Sequence, residues 1–256
     1  MRLSYEVVGS GPPVLLCHGL LGDGRLWAAV GPPLAERYRL LIPDLRGHRG
    51  TSTPDAFTLW DVADDLRHIL DAEGIDEAPV VGFSMGGMAA LRLTLQAPDR
   101  VAALGLLSTA ARAEPVFNRL RNLTMGAVVG VAGPVPVFQP IASRLMFAPR
   151  FRTARRDVVA EAMAAYRAQE GCSLGHAIRA VFTRDSIVER LPEIDVPTRI
   201  LVGNLDAMTP PVWAAELHAG IRRSTLTQLP GIGHMTPLEA PEVVGPWISE
   251  LLAAHG

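Results

Sequence analysis

The stretch Val80-Val81-Gly82-Phe83-Ser84-Met85-Gly86-Gly87-Met88-Ala89-Ala90-Leu91 is the part of the chain from which its fold is most readily inferred. It begins with β-branched residues, passes through a serine between glycines, and continues into Ala and Leu at helical spacing. This pattern predicts a strand, a tight turn and a helix that begins at once. The Gly82-x-Ser84-x-Gly86 spacing is typical of a serine held in strained backbone geometry at such a turn. An incidental serine in a glycine-rich turn gives the same pattern, so other parts of the chain have to distinguish the two.

Apolar runs alternate with helical patterns through the first hundred residues. Buried strands are predicted at residues 14–17, 39–42, 80–83 and 101–107, and an edge strand at residues 3–8. One helix is predicted to place Leu26, Trp27, Val30 and Leu34 inward, and Thr58 is predicted to cap another. The alternation predicts an α/β fold with a mostly parallel central sheet and helices on both faces. Ligands of such sheets bind beyond the carboxyl ends of the strands.

The alternation stops after residue 107 and resumes with strands at 196–203 and 224–229 and a helix at 239–254. We therefore expect an α/β core at residues 1–111 and 186–256, and a helical cap inserted at residues 112–185. The cap holds eleven arginines against five acidic residues. This excess fits an anionic substrate or solvated helix faces, and the second interpretation is favoured. The uncharged stretch at residues 122–143 is predicted not to span a membrane, because glycines and prolines interrupt it.

Composition excludes several classes of function. The chain has 256 residues, 48% of them hydrophobic, and a formal net charge of −2, which is typical of a globular protein and does not favour nucleic-acid binding. All 24 basic residues are arginine, so Schiff-base, P-loop and Ser–Lys chemistry is excluded. The start lacks the apolar segment of a signal peptide, and Cys17 and Cys172 are expected to be reduced, which predicts a cytoplasmic protein. The oligomeric state stays open.

A serine nucleophile needs a base and a carboxylate that orients the base. Among the seven histidines, His234 lies in a flexible loop after the last predicted strand, on the same sheet edge as Ser84. Asp206 follows the preceding strand, and the order Ser84, Asp206, His234 is that of α/β-hydrolases. A structural role for Asp206, as a cap of the helix that begins near Pro210, is the alternative. His48 is expected to have a structural role, and His18 to shape the mouth of the site.

Several motifs together resemble the α/β-hydrolase superfamily over nearly the whole chain. They are His18-Gly19-Leu20, Asp44-Leu45-Arg46-Gly47-His48, Gly82-Phe83-Ser84-Met85-Gly86-Gly87, Asp206 with Thr209-Pro210-Pro211, and Gly233-His234 with Pro237, Glu239 and Pro241. The resemblance implies a Ser–His–Asp hydrolase with a helical cap. Among its branches, the chain is most similar to 3-oxoadipate enol-lactonases and related bacterial esterases.

The expected reaction is hydrolysis of a small carboxylic ester or lactone through an acyl-enzyme. The backbone N–H of Met85, at the start of the helix, is predicted to bind the oxyanion, and the resemblance implies the backbone N–H of Leu20 as the second donor. No cofactor and no metal is called for. Two alternatives stay open: an acyltransferase or perhydrolase that uses the same triad, and a ligand receptor with vestigial hydrolase activity.

Overall fold

The computed structural model describes residues 3–254, without the side chain of Val137; Met1, Arg2 and His255 lie outside the described residues. Seven strands form one sheet in the order β1-β3-β2-β4-β5-β6-β7. Only the pairing of β1 with β3 is antiparallel. The strands are β1 (Tyr5–Val8), β2 (Pro13–Cys17), β3 (Arg39–Pro43), β4 (Ala78–Phe83), β5 (Val101–Leu107), β6 (Thr198–Gly203) and β7 (Ser224–Leu229). The predicted mostly parallel sheet is confirmed.

The helices of the core connect these strands and cover the sheet. They are α1 (Gly31–Ala35), α2 (Leu59–Ala72), α3 (Met85–Gln96), α9 (Pro211–Gly220), α10 (Thr236–Glu239) and α11 (Pro241–Ala253). Five more lie between β5 and β6: α4 (Val116–Ala132), α5 (Gln139–Met146), α6 (Pro149–Ala154), α7 (Arg156–Arg167) and α8 (Gly171–Phe182). Thr58 caps α2 as predicted, because its hydroxyl accepts the N–H of Asp61 while its own N–H binds the Asp61 carboxylate.

The core lies on both faces of the sheet, and β2 shows how the strand period divides it. Leu15 and Cys17 point to the face covered by α2, α3 and α9, whereas Val14 and Leu16 point to the face covered by α1 and α11. All four are fully buried. A strand with apolar side chains on both faces has to be covered by helices on both sides, which is the layered arrangement that the sequence predicts.

The single helix predicted to contain Leu26, Trp27, Val30 and Leu34 is wrong. A 3₁₀ helix at Gly24–Trp27 is followed by the short α1, and Pro32 and Pro33 stand in its first turn. A proline disrupts a helix that already has a turn before it, because its ring clashes with that turn and it has no N–H group to donate to it. The four apolar side chains are nevertheless buried, so the inward face is confirmed.

Two of the glycines expected to interrupt residues 122–143 lie inside a helix instead. Gly126 and Gly130 belong to α4, and a Cβ added at Gly126 would lie 2.6 Å from the side chain of Ile178 in α8. A Cβ added at Gly175 of α8 would lie 2.9 Å from Gly130. These glycines therefore permit close packing of α4 on α8. Among residues 3–254, no helix is both long and apolar enough to cross a membrane.

Candidate active site

Ser84 lies between the end of β4 and the first residue of α3. Its φ is +51°, in the region that L side chains rarely adopt, so the strained turn predicted from the sequence is confirmed. A Cβ at Gly82 would lie 2.5 Å from the backbone of Gly86, and one at Gly86 would lie 2.4 Å from the carbonyl oxygen of Cys17. The two glycines thus permit the tight turn and its close approach to the end of β2.

The side chains of Ser84, His234 and Asp206 form one hydrogen-bonded chain. The Nε2 atom of His234 lies 3.0 Å from the Oγ atom of Ser84, and its Nδ1 atom lies 2.9 Å from Oδ2 of Asp206. With Nδ1–H donating to the carboxylate, Nε2 is free to accept the serine proton. These hydrogen bonds link residues that follow β4, β6 and β7. The three strands lie close together in the sheet, and their carboxyl ends share one edge.

The carboxylate of Asp206 is held in its ionised form by its surroundings. Burial opposes ionisation, but the nearby His234 and the donors of Thr209 outweigh it and lower the pKa of Asp206 below its ordinary value. The donors are the backbone N–H groups of Met208 and Thr209 and the Thr209 hydroxyl, all within 2.9 Å. These bonds stay within the loop after β6, and none of them comes from a residue of α9. The geometry therefore does not favour the alternative in which Asp206 caps that helix.

Two backbone N–H groups face the same edge as Ser84. Met85 is the first residue of α3, where an N–H has no partner within its own helix. The N–H of Leu20 forms no hydrogen bond with any described residue, whereas the N–H groups of the next two residues, Leu21 and Gly22, are both hydrogen-bonded. A Cβ at Gly19 would lie 3.0 Å from the Cβ of Ser84, so the loop that carries Leu20 passes directly beside the serine. Two such donors are what a developing oxyanion requires.

Two buried histidines hold the loop that carries Leu20. His18 accepts the N–H of Leu45 at Nε2, 2.9 Å away, and its Nδ1 atom lies 2.7 Å from the carbonyl oxygen of Gly19. His48 accepts the N–H of Leu21, whose φ is +70°. Burial lowers the pKa of His18 to about 4 and that of His48 to about 3, so both rings are neutral near pH 7.

This geometry decides between roles for these two residues. His48 has the structural role that the sequence predicts. His18 does not shape the mouth of the site, because it is fully buried and lines neither of the cavities beside Ser84.

The loop that carries His234 is held by the inserted helices. The backbone N–H groups of His234 and Met235 both donate to the carbonyl oxygen of Met146, at 2.9 and 3.1 Å. The Oε2 atom of Glu239 accepts the N–H groups of Gly233 and Ala148, each at 3.1 Å. Burial raises the pKa of the Glu239 carboxyl above its ordinary value. The end of α5 is therefore part of the support of His234.

One cavity is lined by Ser84, and a second cavity shares part of its wall. The large chamber, about 230 Å³, lies between the Leu20 loop and α7, and its lining is mostly apolar. The small chamber, about 50 Å³, is lined by Ser84, His234 and the charged pair Glu114 and Arg184. Both chambers share the same dividing wall, which consists of Leu20, Leu21, Phe83, Met146 and Met235.

The structure brings together all five residues named from the sequence, Ser84, Asp206, His234, Leu20 and Met85. Four further residues of the site were not singled out: Met146, Glu239, Glu114 and Arg184. Glu239 falls in one of the motifs quoted above, so its position carried a signal. Met146, Glu114 and Arg184 carried none, because they lie in the insertion and reach the site only through tertiary contacts. Among residues 3–254, no group of three or more His, Cys, Asp or Glu side chains could hold a metal ion.

Comparison with known proteins identifies the family. Residues 12–241 match the family model described as the alpha/beta hydrolase fold. The chain belongs to this family. It is also similar to the protein named "Putative carbamate hydrolase RutD" of Azorhizobium caulinodans, at 27% identity over 94% of this chain and 91% of the relative.

Solved structures of an esterase and an enol-lactonase superpose closely on the chain. An esterase of Thermogutta terrifontis with malate bound has a TM-score of 0.94 and 28% identity, and the match covers 99% of this chain and 94% of the esterase. The enol-lactonase of Burkholderia xenovorans has a TM-score of 0.91 over 98% of this chain and 96% of the other. At 21% identity, the likeness to the enol-lactonase shows the fold alone.

Proposed function

We propose that this α/β hydrolase cleaves small carboxylic esters or lactones through an acyl-enzyme on Ser84. The observation that carries the proposal is the chain of hydrogen bonds from Ser84 Oγ through His234 to Asp206, 3.0 and 2.9 Å long. The similarity to an esterase that covers nearly the whole chain supports the same reaction class.

Each part of the site has a role in the proposed reaction. Ser84 Oγ attacks the acyl carbon while His234 Nε2 takes its proton, and Asp206 stabilises the resulting imidazolium. The N–H groups of Leu20 and Met85 bind the oxygen that becomes negative, a contribution of about 3–4 kcal/mol per donor. His234 then returns the proton to the leaving alcohol as the C–O bond breaks. Water, deprotonated by His234, attacks the acyl carbon of the acyl-enzyme. His234 then gives that proton to Ser84 Oγ as the bond from Oγ to the acyl carbon breaks, and the acid is released.

The chambers bear on the size of the substrate. The small chamber has room for only a few non-hydrogen atoms, whereas the large chamber accommodates a longer apolar group. We therefore propose that the substrate has a short group on one side of the scissile bond and a larger apolar group on the other.

The proposal is tested with a panel of activated esters and lactones of varied size, measured with the wild-type protein and Ser84→Ala. We expect kcat/KM of the variant to fall by about 10⁴-fold or more, because the nucleophile is lost while the fold is kept. Mass spectrometry during turnover should detect the acyl group on the peptide that contains Ser84. Hydrolysis by Ser84→Ala at near wild-type rate would contradict the mechanism.

The acceptor of the acyl group is examined in the same assay. Addition of hydrogen peroxide, an alcohol or a thiol during turnover separates a hydrolase from an acyltransferase or perhydrolase. With water as the acceptor, we expect the free acid to stay the main product. Binding of esters without turnover would instead favour the receptor alternative.

A further inference from the structure

The small chamber contains two charged side chains in an otherwise largely apolar wall. Glu114 lies in the segment that follows β5, and Arg184 lies two residues after the end of α8. Both line the chamber that contains Ser84 Oγ. The remaining wall is formed mainly by Met88, Val181, Phe182, Met208 and Trp213. Because the burial of charge is unfavourable, the presence of a charged pair in such a wall points to a function for the pair.

Arg184 is fixed in position by the chain around it. Its Nε atom donates to the carbonyl oxygen of Arg112 and its Nη1 atom to that of Val181, each at 2.8 Å. The guanidinium carbon lies 5.9 Å from the centre of the Trp213 ring. Its side chain is 1% exposed. Two of the three nitrogens are thus used to hold the planar group in a single orientation.

The third nitrogen retains donor capacity. Arg184 Nη2 lies 3.1 Å from Oε2 of Glu114, which is an ion-pair distance. Nη2 carries two N–H groups, of which at most one can point at Glu114, and it forms no hydrogen bond with any other described group. The described residues also provide no hydrogen bond to the Glu114 carboxylate from a group other than Arg184. The chamber therefore presents an N–H donor beside a carboxylate acceptor, both with unused hydrogen-bonding capacity.

The charges of the pair restrict what this subsite can bind. Glu114 and Arg184 together carry no net charge, and the nearby Arg92 is paired with Asp185 at 2.8 Å. A substrate carboxylate would add an uncompensated negative charge to a buried wall, which is costly in a medium of low dielectric constant. An uncharged oxygen-containing group meets no such penalty. It accepts a hydrogen bond from Nη2 and, where it has an N–H or O–H, donates one to Glu114.

We propose that Glu114 and Arg184 form a subsite for an uncharged polar group of the substrate, such as a hydroxyl, keto or carboxamide group close to the scissile bond. The subsite deepens the proposed function and rests on it. Substrates with such a group should be preferred to simple alkyl esters, whose apolar chains would leave Nη2 of Arg184 without an acceptor. They should also be preferred to esters that carry a free carboxylate.

The test compares three esters of one leaving group that differ only at the end of a short acyl chain: a methyl, a carboxamide and a carboxylate. A second set places the same three groups on the alcohol side. For the wild-type protein we expect, in one of the two sets, kcat/KM for the carboxamide to exceed that for the methyl ester by about tenfold, the worth of one net hydrogen bond. The carboxylate ester should be the poorest of the three in that set.

Two substitutions in the subsite change these ratios in different directions. Glu114→Gln leaves the charge of Arg184 uncompensated, so the preference should move from the carboxamide to the carboxylate by at least tenfold. Arg184→Met should bring the ratio of carboxamide to methyl ester close to one. If Arg184→Met does not fold, because the carbonyl groups of Arg112 and Val181 lose their donors, Glu114→Gln decides alone.

A matched control is Arg112→Gln. The Arg112 guanidinium lies over the same Trp213 ring as that of Arg184, but it pairs with Glu216 and does not line the small chamber. We expect this variant to keep the wild-type ratios. A shift in Arg112→Gln as large as in Glu114→Gln would overturn the proposal.

Failure of the subsite is distinguishable from failure of the hydrolase. If the wild-type protein hydrolyses the methyl ester and Ser84→Ala does not, the proposed function is supported. Ratios near one in both sets for the wild-type protein would then overturn the subsite alone. A wild-type preference for the carboxylate ester would overturn it as well. Should no ester be turned over, calorimetric binding of the three esters to Ser84→Ala gives the same ratios, and equal affinities would reject the subsite.

Discussion

The two loops on either side of the Ser84 hydroxyl are held by different parts of the molecule. The oxyanion loop, which carries Leu20, is fixed within the core by the neutral rings of His18 and His48. The histidine loop, which carries His234, is bound to the insertion through the carbonyl oxygen of Met146, and the carboxyl of Glu239 in α10 joins the N–H groups of Gly233 and Ala148. The insertion therefore supports the proposed base and also contributes residues to the walls of both chambers.

The two supports also differ in how they respond to acid. His18 and His48 have pKa values of about 4 and about 3, below the ordinary value of 6.5, because both are buried. Their contribution to stability is fully present above pH 6.5 and is lost as the pH falls through the folded pKa values. Glu239 has a raised pKa, so its contribution is present below the ordinary value of 4.5 and is lost as the pH rises.

Of the effects that follow from this difference between the two loops, the largest that we expect is acid destabilisation from the oxyanion loop. Between pH 7 and pH 5 each of the two buried histidines should remove roughly 2 kcal/mol from the free energy of unfolding. Urea unfolding at a series of pH values measures this loss. In His48→Gln, whose amide oxygen still accepts a hydrogen bond but does not titrate, the loss should be about half that of the wild-type protein. An unchanged loss in His48→Gln would show that His48 is not its source.

A smaller effect is expected on catalysis when the oxyanion loop is released. His48→Ala leaves the N–H of Leu21 without its acceptor and frees the strained backbone next to Leu20. We expect kcat for a good ester to fall by about 10- to 100-fold with little change in KM, because the proposed role of the Leu20 N–H is to bind the oxyanion of the transition state. Steady-state kinetics at pH 8 provides the measurement.

His68→Ala is the control, since His68 is an exposed histidine of α2. It should retain wild-type kinetics. The oxyanion role of this loop would be falsified if His48→Ala raised KM and left kcat unaltered.

The smallest effect is expected at the histidine loop. Glu239→Ala removes the acceptor of the Gly233 and Ala148 N–H groups, but the two bonds to Met146 remain. We expect kcat to fall by up to about tenfold, and less for Glu239→Gln, whose amide oxygen can accept both N–H groups. Hydrogen exchange should show faster exchange at Gly233 and Ala148 together in Glu239→Ala. Faster exchange at only one of them would argue that Glu239 does not join the two segments.

The sequence predicted the parts of the site that lie at strand ends. Ser84 follows β4 directly, Asp206 and His234 lie in the loops after β6 and β7, and the carboxyl ends of parallel strands share one edge. Their proximity could therefore be predicted, and so could the strain at Ser84, because glycines two residues away on each side mark the turn. Their catalytic roles stay a prediction that Ser84→Ala tests. The interruption between the 3₁₀ helix that ends at Trp27 and α1 was not predicted. The buried apolar residues keep helical spacing on both sides of Pro32 and Pro33, so their pattern is that of one continuous helix.

By itself the sequence determined the layered sheet, the order of the chemical groups along it and the absence of any lysine. These properties depend on local periodicity and on residue identity, which a linear sequence contains. Only the tertiary structure decided which of eleven cap arginines lines the small chamber and that Met146 and Glu239 support His234. The contacts of Arg184 with Glu114, of Met146 with His234 and of Glu239 with Ala148 join residues about 70 to 90 positions apart in the chain. One arginine in an irregular insertion also has the same local sequence pattern as the next. The packing of the insertion on the core therefore determines which polar groups reach Ser84.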